Sequence, residues 1–108
     1  MPRNSKDNSL GRYRQMEEMS KRYLDSLSAP RLRITMNPLV KHKVKEANQY
    51  VKSFRKVLKS LDEEHRNIIS STFLEPNRLD EVKEKYAIAT FYRIREKSIR
   101  TFIERFCQ

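Results

Sequence analysis

Thr90-Phe91-Tyr92-Arg93-Ile94-Arg95-Glu96-Lys97-Ser98-Ile99-Arg100-Thr101-Phe102-Ile103-Glu104-Arg105-Phe106 separates into two faces when wound as an α-helix. Phe91, Ile94, Ser98, Ile99, Phe102, Ile103 and Phe106 fall on one side. Tyr92, Arg93, Glu96, Lys97 and Arg100 fall on the other. The spacing predicts a helix seated on a core by its aromatic side, with a basic and polar side turned to solvent. Thr90 is of a residue type that caps helix N-termini, so the helix is expected to start there.

Upstream, Leu79, Val82 and Tyr86 repeat at helical spacing and predict a short helix from about Arg78 to Tyr86, joined to the last helix through Ala87-Ile88-Ala89. Before it, Leu61, Ile68, Ile69 and Phe73 mark the buried side of another helix, which Glu75-Pro76-Asn77 breaks. Ser60 followed by Glu63 has capping-box spacing and is a candidate start for that helix. Further upstream, Val40, Val44, Ala47, Val51, Phe54, Leu58 and Leu61 form one narrow apolar stripe, introduced by Asn37 as a cap and Pro38 at the first helical position. Leu10, Tyr13, Met16, Tyr23, Leu24 and Leu27 recur at near-helical spacing, whereas residues 1–9 are polar and expected to fray. Ser28-Ala29-Pro30 ends that first helix, and Arg31-Leu32-Arg33-Ile34-Thr35 alternates as an extended connector. The expected fold class is all-α, a helical bundle. Residues 1–37 form an N-terminal helix and extended connector, and residues 38–108 form a basic helix plus a C-terminal helix-turn-helix.

Composition agrees with this layout. A single glycine, Gly11, excludes glycine-rich phosphate loops and argues against a sheet with many tight turns. The 108 residues carry 24 Lys and Arg against 14 Asp and Glu, a net charge of +10 that favours a polyanionic partner. The charge is uneven: residues 38–60 hold seven bases (Lys41, Lys43, Lys45, Lys52, Arg55, Lys56, Lys59) against Glu46 alone, while residues 61–89 are net acidic. The basic face of residues 38–60 leaves two readings open, a solvated surface and a DNA-backbone surface. The lone Cys107 has no partner in the chain for a disulfide, which fits a reducing compartment. No segment approaches the apolar length of a membrane span, and residues 1–6 lack a hydrophobic signal region, so a soluble cytoplasmic protein with no membrane partner is expected.

No enzyme signature is read. His42 and His65 lack a metal-ligand pattern, the adjacent Glu63 and Glu64 point to different sides of a helix, and Cys107 has no neighbouring base. No catalytic residue, metal or cofactor is expected.

The run Leu61-Asp62-Glu63-Glu64-His65-Arg66-Asn67-Ile68-Ile69 with Phe73, Ile88 and Thr90-Phe91-Tyr92-Arg93-Ile94-Arg95-Glu96-Lys97-Ser98-Ile99 and Phe102 resembles sigma-factor region 4. More narrowly, it is similar to the phage late-transcription regulators of the ArpU family, over roughly residues 20–106. The resemblance implies a DNA-binding transcriptional regulator in a bacterial host cell, an activator of late packaging and lysis genes of a phage or related mobile element, acting on double-stranded promoter DNA and RNA polymerase. Relative to the family pattern, about two residues are missing between Ile88 and Thr90. The resemblance places Thr90, Tyr92, Arg93 and Lys97 on the DNA-facing side, with Arg93 where the family commonly has a backbone-contacting arginine, a residue type that suits either a phosphate or a guanine edge. Arg100 extends that side, Arg78 is a candidate phosphate clamp, and Lys52, Arg55, Lys56 and Lys59 are candidates for added backbone contacts. Tyr92 has a second reading, packing on a neighbouring helix, and Arg95 and Arg100 have Glu96 and Glu104 within reach as surface partners. The rival functional reading is an interaction protein that grips RNA polymerase or another regulator with little DNA affinity, motivated by the acidic residues 61–89. Structured RNA ranks behind both, and the apolar stripe from Val40 to Leu61 makes a homodimer a further expectation.

Overall fold

The computed structural model describes residues 5–28 and 38–107, and every regular element in them is helical. Helix α1 (Ser5–Leu27) is followed by α2 (Pro38–Ser60), α3 (Glu63–Ile69), α4 (Leu79–Lys83) and α5 (Ile88–Phe106). The extended connector Arg31–Thr35 and the Asn37 cap expected from the sequence lie outside the described residues, as does the side chain of Val40.

Helix α1 starts at Ser5, inside the stretch expected to fray. Residues 5–9 contain neither proline nor glycine, so nothing in their backbone chemistry ends the helix. Among its described side chains, Met16, Ser20 and Tyr23 are buried, spaced four and three apart on one face. On α2 the expected stripe centres on Phe54, which is fully buried, flanked by half-buried Tyr50, Val51, Val57 and Leu58. The α5 set behaves as its periodicity demands: Phe91, Ser98, Ile99 and Phe102 are buried.

These faces meet in one main core of Met16, Tyr23, Phe54, Leu61, Ile69, Ile99 and Phe102. Phe54 is its hub, stacked on Tyr23 at 4.2 Å between ring centroids and tilted against Phe102 at 4.8 Å, with Phe106 and Tyr50 beyond. A second cluster, Ile68, Val82 and Phe91, with Leu79, Tyr86 and Ile94 against it, joins α3, α4 and α5.

The joints show where local chemistry departs from the expected boundaries. Ser60 does not cap α3. Its hydroxyl donates back to the Val57 carbonyl at 2.6 Å, as serine does at the end of a helix, and Asp62 occupies the cap position. The exposed C-terminus of α2 is closed instead by two arginines. Arg105 donates to the Ser60 carbonyl at 2.7 Å, and Arg66 donates to the Lys59 and Leu61 carbonyls at 3.4 Å, placing positive charge at the negative end of the helix dipole. Helix α3 widens into a π turn over Ser70–Leu74, closed by the Glu75 N–H on the Ser70 carbonyl at 2.7 Å. Weak helix formers, Ser70, Ser71 and Thr72, make that loosening inexpensive, and Pro76 stops it. A 3-10 turn, Pro76–Arg78, then leads into α4, which is shorter than the expected 78–86 because residues 84–86 form the turn instead.

The Ser20 hydroxyl is buried with no hydrogen-bond partner among the described residues. Ser20→Ala removes an uncompensated polar group from the core, so chemical denaturation is expected to show unchanged or raised stability, by up to about 1 kcal/mol. A loss of more than that would mean the hydroxyl has a partner.

Candidate nucleic-acid interface

Helix α5 is introduced by α4 and the turn at residues 84–87, and its first helical residue is Ile88, not Thr90. Ala87 takes the cap position with an extended backbone, so Ile88 and Ala89 belong to the helix. The joint expected at Ala87-Ile88-Ala89 therefore lies earlier in the chain, at residues 84–87. It is held by the Tyr86 hydroxyl, which donates to Glu64 Oε2 at 3.0 Å and ties the turn to α3.

Because Phe91, Ser98, Ile99 and Phe102 are anchored inward, Arg93, Lys97 and Arg100 are exposed together on the opposite side, four and three residues apart. Thr90, half-buried, borders them. Tyr92 lies on the other flank of the helix. It is 42% exposed, yet its ring sits between the guanidinium of Arg95 at 4.7 Å and the ammonium of Lys83 at 5.5 Å, and its edge meets Phe91. Lys83 Nζ also reaches the Tyr92 hydroxyl at 3.5 Å. Tyr92 thus pins α4 to α5, which favours the packing reading of this residue.

Arg95 turns back onto α1, with its guanidinium over the Tyr13 ring at 4.8 Å as well as over Tyr92. Beside it, Arg12 approaches Glu96 at 3.8 Å, drawing that carboxylate towards α1. Arg12, Tyr13, Tyr92, Arg95, Glu96 and Ile99 enclose a cleft of only about 110 Å³. This α1–α5 contact was not legible in the sequence, because Tyr13 and Arg95 are far apart in the chain and neither belongs to a motif.

The remaining candidates are dispersed. Arg78 donates to Glu75 Oε1 at 2.8 Å, so its charge is already partly matched and its use as a phosphate clamp is weakened. Arg55 Nε donates to the Tyr23 hydroxyl at 3.0 Å, which orients it along the α1–α2 seam. Lys52, Lys56 and Lys59 are exposed on the side of α2 away from Phe54. Since Phe54 of α2 and Phe102 of α5 touch each other, the outward sides of the two helices face away from one another. Arg93, Lys97 and Arg100 on α5 and Lys52, Lys56 and Lys59 on α2 are therefore turned away from one another, Tyr92, Arg55 and Arg78 are engaged elsewhere, and the ten candidates do not form one patch.

Two tyrosines sit in environments that resist ionisation. Burial pushes the Tyr50 phenol up from its ordinary value. The Arg22 guanidinium, 4.3 Å over the ring, partly offsets this. Burial and the bond to Glu64 raise Tyr86. A phenolate at Tyr50 could no longer donate to the Met19 carbonyl, a bond of 3.3 Å. A phenol pKa raised in the fold contributes stability that is complete below the unfolded value near 10 and is lost as pH climbs through the folded value. Titration followed by tyrosinate absorbance is expected to show Tyr50 and Tyr86 ionising late, with stability falling over the same pH range. Ionisation of both at the ordinary phenol value would contradict these contacts.

Among the described residues, no three His, Cys, Asp or Glu side chains gather where a metal ion could be held. No helix there is long and apolar enough to cross a membrane. No protein-family model matches the chain, and neither a curated protein nor a solved structure matches it.

Proposed function

We propose that the protein is a DNA-binding transcriptional regulator in which α4, the turn at residues 84–87 and α5 act as a helix-turn-helix. The observation that carries this reading is the exposed row Arg93, Lys97 and Arg100 on a long helix whose other side is locked in the core. An α-helix fits the major groove of B-form DNA, and a rigidly seated one holds its outward side chains in fixed register with base edges. Arg93, near the N-terminal end, is the candidate for bidentate recognition of guanine, with Thr90 beside it. Lys97 and Arg100 act on phosphates. The role in late-gene activation for a phage or mobile element comes from the resemblance of residues 61–102 and belongs to the same proposal.

The test is selection of duplexes from a random pool, followed by affinity measurement across salt. Each phosphate neutralised adds about 0.9 to the log–log salt slope, so contacts from three cations imply roughly 40-fold weaker binding at 200 mM than at 50 mM salt. Salt-independent or absent duplex binding would overturn the reading.

A second reading has its own observation. Glu63, Glu64, Asp80, Glu81 and Glu84 are exposed on α3, α4 and the following turn, an acidic surface suited to a basic protein partner such as RNA polymerase. Capture of polymerase by a chain that binds no DNA would favour it. Exposed Leu24, Leu27 and Leu39 are the residues on which self-association would draw, and light scattering decides that question.

A further inference from the structure

Lys41, Lys45, Asn48, Lys52, Lys56 and Lys59 follow one another at intervals of four and three residues along α2, and all are exposed. Wound at 3.6 residues per turn, the five lysines lie about 140° to 180° round the helix from Phe54, a continuous stripe opposite the core. The helix's single acid, Glu46, sits on its flank, 3.4 Å from His42. Among the described residues no carboxylate forms an ion pair with any of the five lysines. Lys52, with Asn48, shares a groove with Arg55 on the α1 side, and Lys56 borders Arg105 on the other.

This stripe is turned away from the outward face of α5, because the two helices meet through Phe54 and Phe102 at 4.8 Å between rings. A straight duplex lying in contact with Arg93, Lys97 and Arg100 is on the other side of the molecule from Lys45, Lys52 and Lys56. We propose that the lysine stripe of α2 is a second duplex-binding surface, so that one protomer holds two DNA segments and bridges them. The bridging role rests on the reading of α5 as the specific DNA helix. The attraction of the stripe for a phosphate backbone does not.

Charge and shape select the occupant. From Lys41 to Lys59 the stripe is about 27 Å long, matching roughly eight base-pair steps of a duplex. Lysines are flexible point charges that suit phosphates without reading sequence. The groove that Lys41, Lys45, Asn48 and Lys52 line has a single apolar side chain, the half-buried Val44, less than an interface with a protein or insertion into a membrane surface would use. The second duplex is therefore held through its backbone, without sequence preference.

The experiment uses the full chain, a bead-tethered duplex carrying a selected site, and a labelled duplex of unrelated sequence. The wild type is expected to capture the labelled duplex on the beads and to saturate at two duplexes per protomer. Lys45→Gln/Lys52→Gln/Lys56→Gln/Lys59→Gln is expected to lose capture at least tenfold while its affinity for the selected duplex changes less than threefold. Arg93→Ala/Lys97→Ala should lose the selected site but still bind unrelated duplex. Saturation of the wild type at one duplex, with no capture, would overturn the second surface and leave the α5 reading intact. No duplex binding by any form would remove both. Capture that persists in the lysine variant would assign bridging to self-association, and equal weakening of both activities would place both faces on one duplex. Binding to phosphatidylserine vesicles that the lysine variant loses, without capture of DNA, would assign the stripe to a membrane surface.

Discussion

Phe54→Ala is expected to cost about 3 to 5 kcal/mol, the usual loss when a buried phenylalanine is truncated and its surroundings cannot collapse. Phe54 is fully buried and contacts aromatic rings from α1, α2 and α5, so no single neighbour can move in to refill the space. Each well-placed aromatic pair contributes about 0.5 to 1.5 kcal/mol beyond burial, and Phe54 takes part in several. Domains of this size have roughly 5 to 15 kcal/mol of stability in total, so the substitution consumes a large part of it. Urea denaturation should show a midpoint lowered by roughly 1 to 5 M, from slopes of about 1 to 3 kcal/mol per molar. Leu39→Ala, at a position 70% exposed, should change stability by less than about 0.5 kcal/mol. Near-equal effects of the two substitutions would mean that α1, α2 and α5 do not share this core.

Arg93→Ala/Lys97→Ala is expected to weaken binding to a selected duplex by between about tenfold and a thousandfold. A bidentate arginine–guanine contact discriminates by about 1 to 3 kcal/mol, and a lysine on a phosphate adds a smaller, salt-dependent share. The two parts separate experimentally. Arg93→Ala should relax preference at one base pair, whereas Lys97→Ala should weaken all sequences alike and lower the salt slope by about 1. Both side chains are exposed, so circular dichroism and the denaturation midpoint should stay near the wild type. Unchanged affinity in a folded double variant would remove α5 as the recognition helix.

Periodicity made the helices and their buried sides readable. Phe54, Ile68, Ile69, Val82, Phe91, Ile99 and Phe102 are buried as their spacing requires, since a repeat near 3.6 residues reports a one-sided helix directly. Boundaries were less legible. Thr90 and Ser60 are good capping types, but the chain uses Ala87 and Asp62 at those positions, because tertiary packing of Phe91 and Leu61 decides where the helices stop and start. Residue type alone could not separate cations left exposed from those engaged within the fold. Arg66, Arg105, Arg95 and Arg55 all count towards the net charge, yet they are engaged on carbonyls, rings or a hydroxyl that lie far away in sequence or across a joint. The division of the basic residues between two sides follows from the Phe54–Phe102 contact, which no local pattern encodes. The regularity of Lys41, Lys45, Lys52, Lys56 and Lys59, by contrast, stood in the sequence as the complement of the apolar stripe, and counting from Phe54 exposes it.

The most direct test of the central claim is chemical-shift mapping of this 13.0 kDa chain by NMR, titrated with a duplex selected from a random pool. Amide and side-chain shifts are expected at Thr90, Arg93, Lys97 and Arg100, with the buried face of α5 unmoved. Shifts confined to the acidic residues of α3 and α4, or to α2 alone while α5 stays silent, would contradict it.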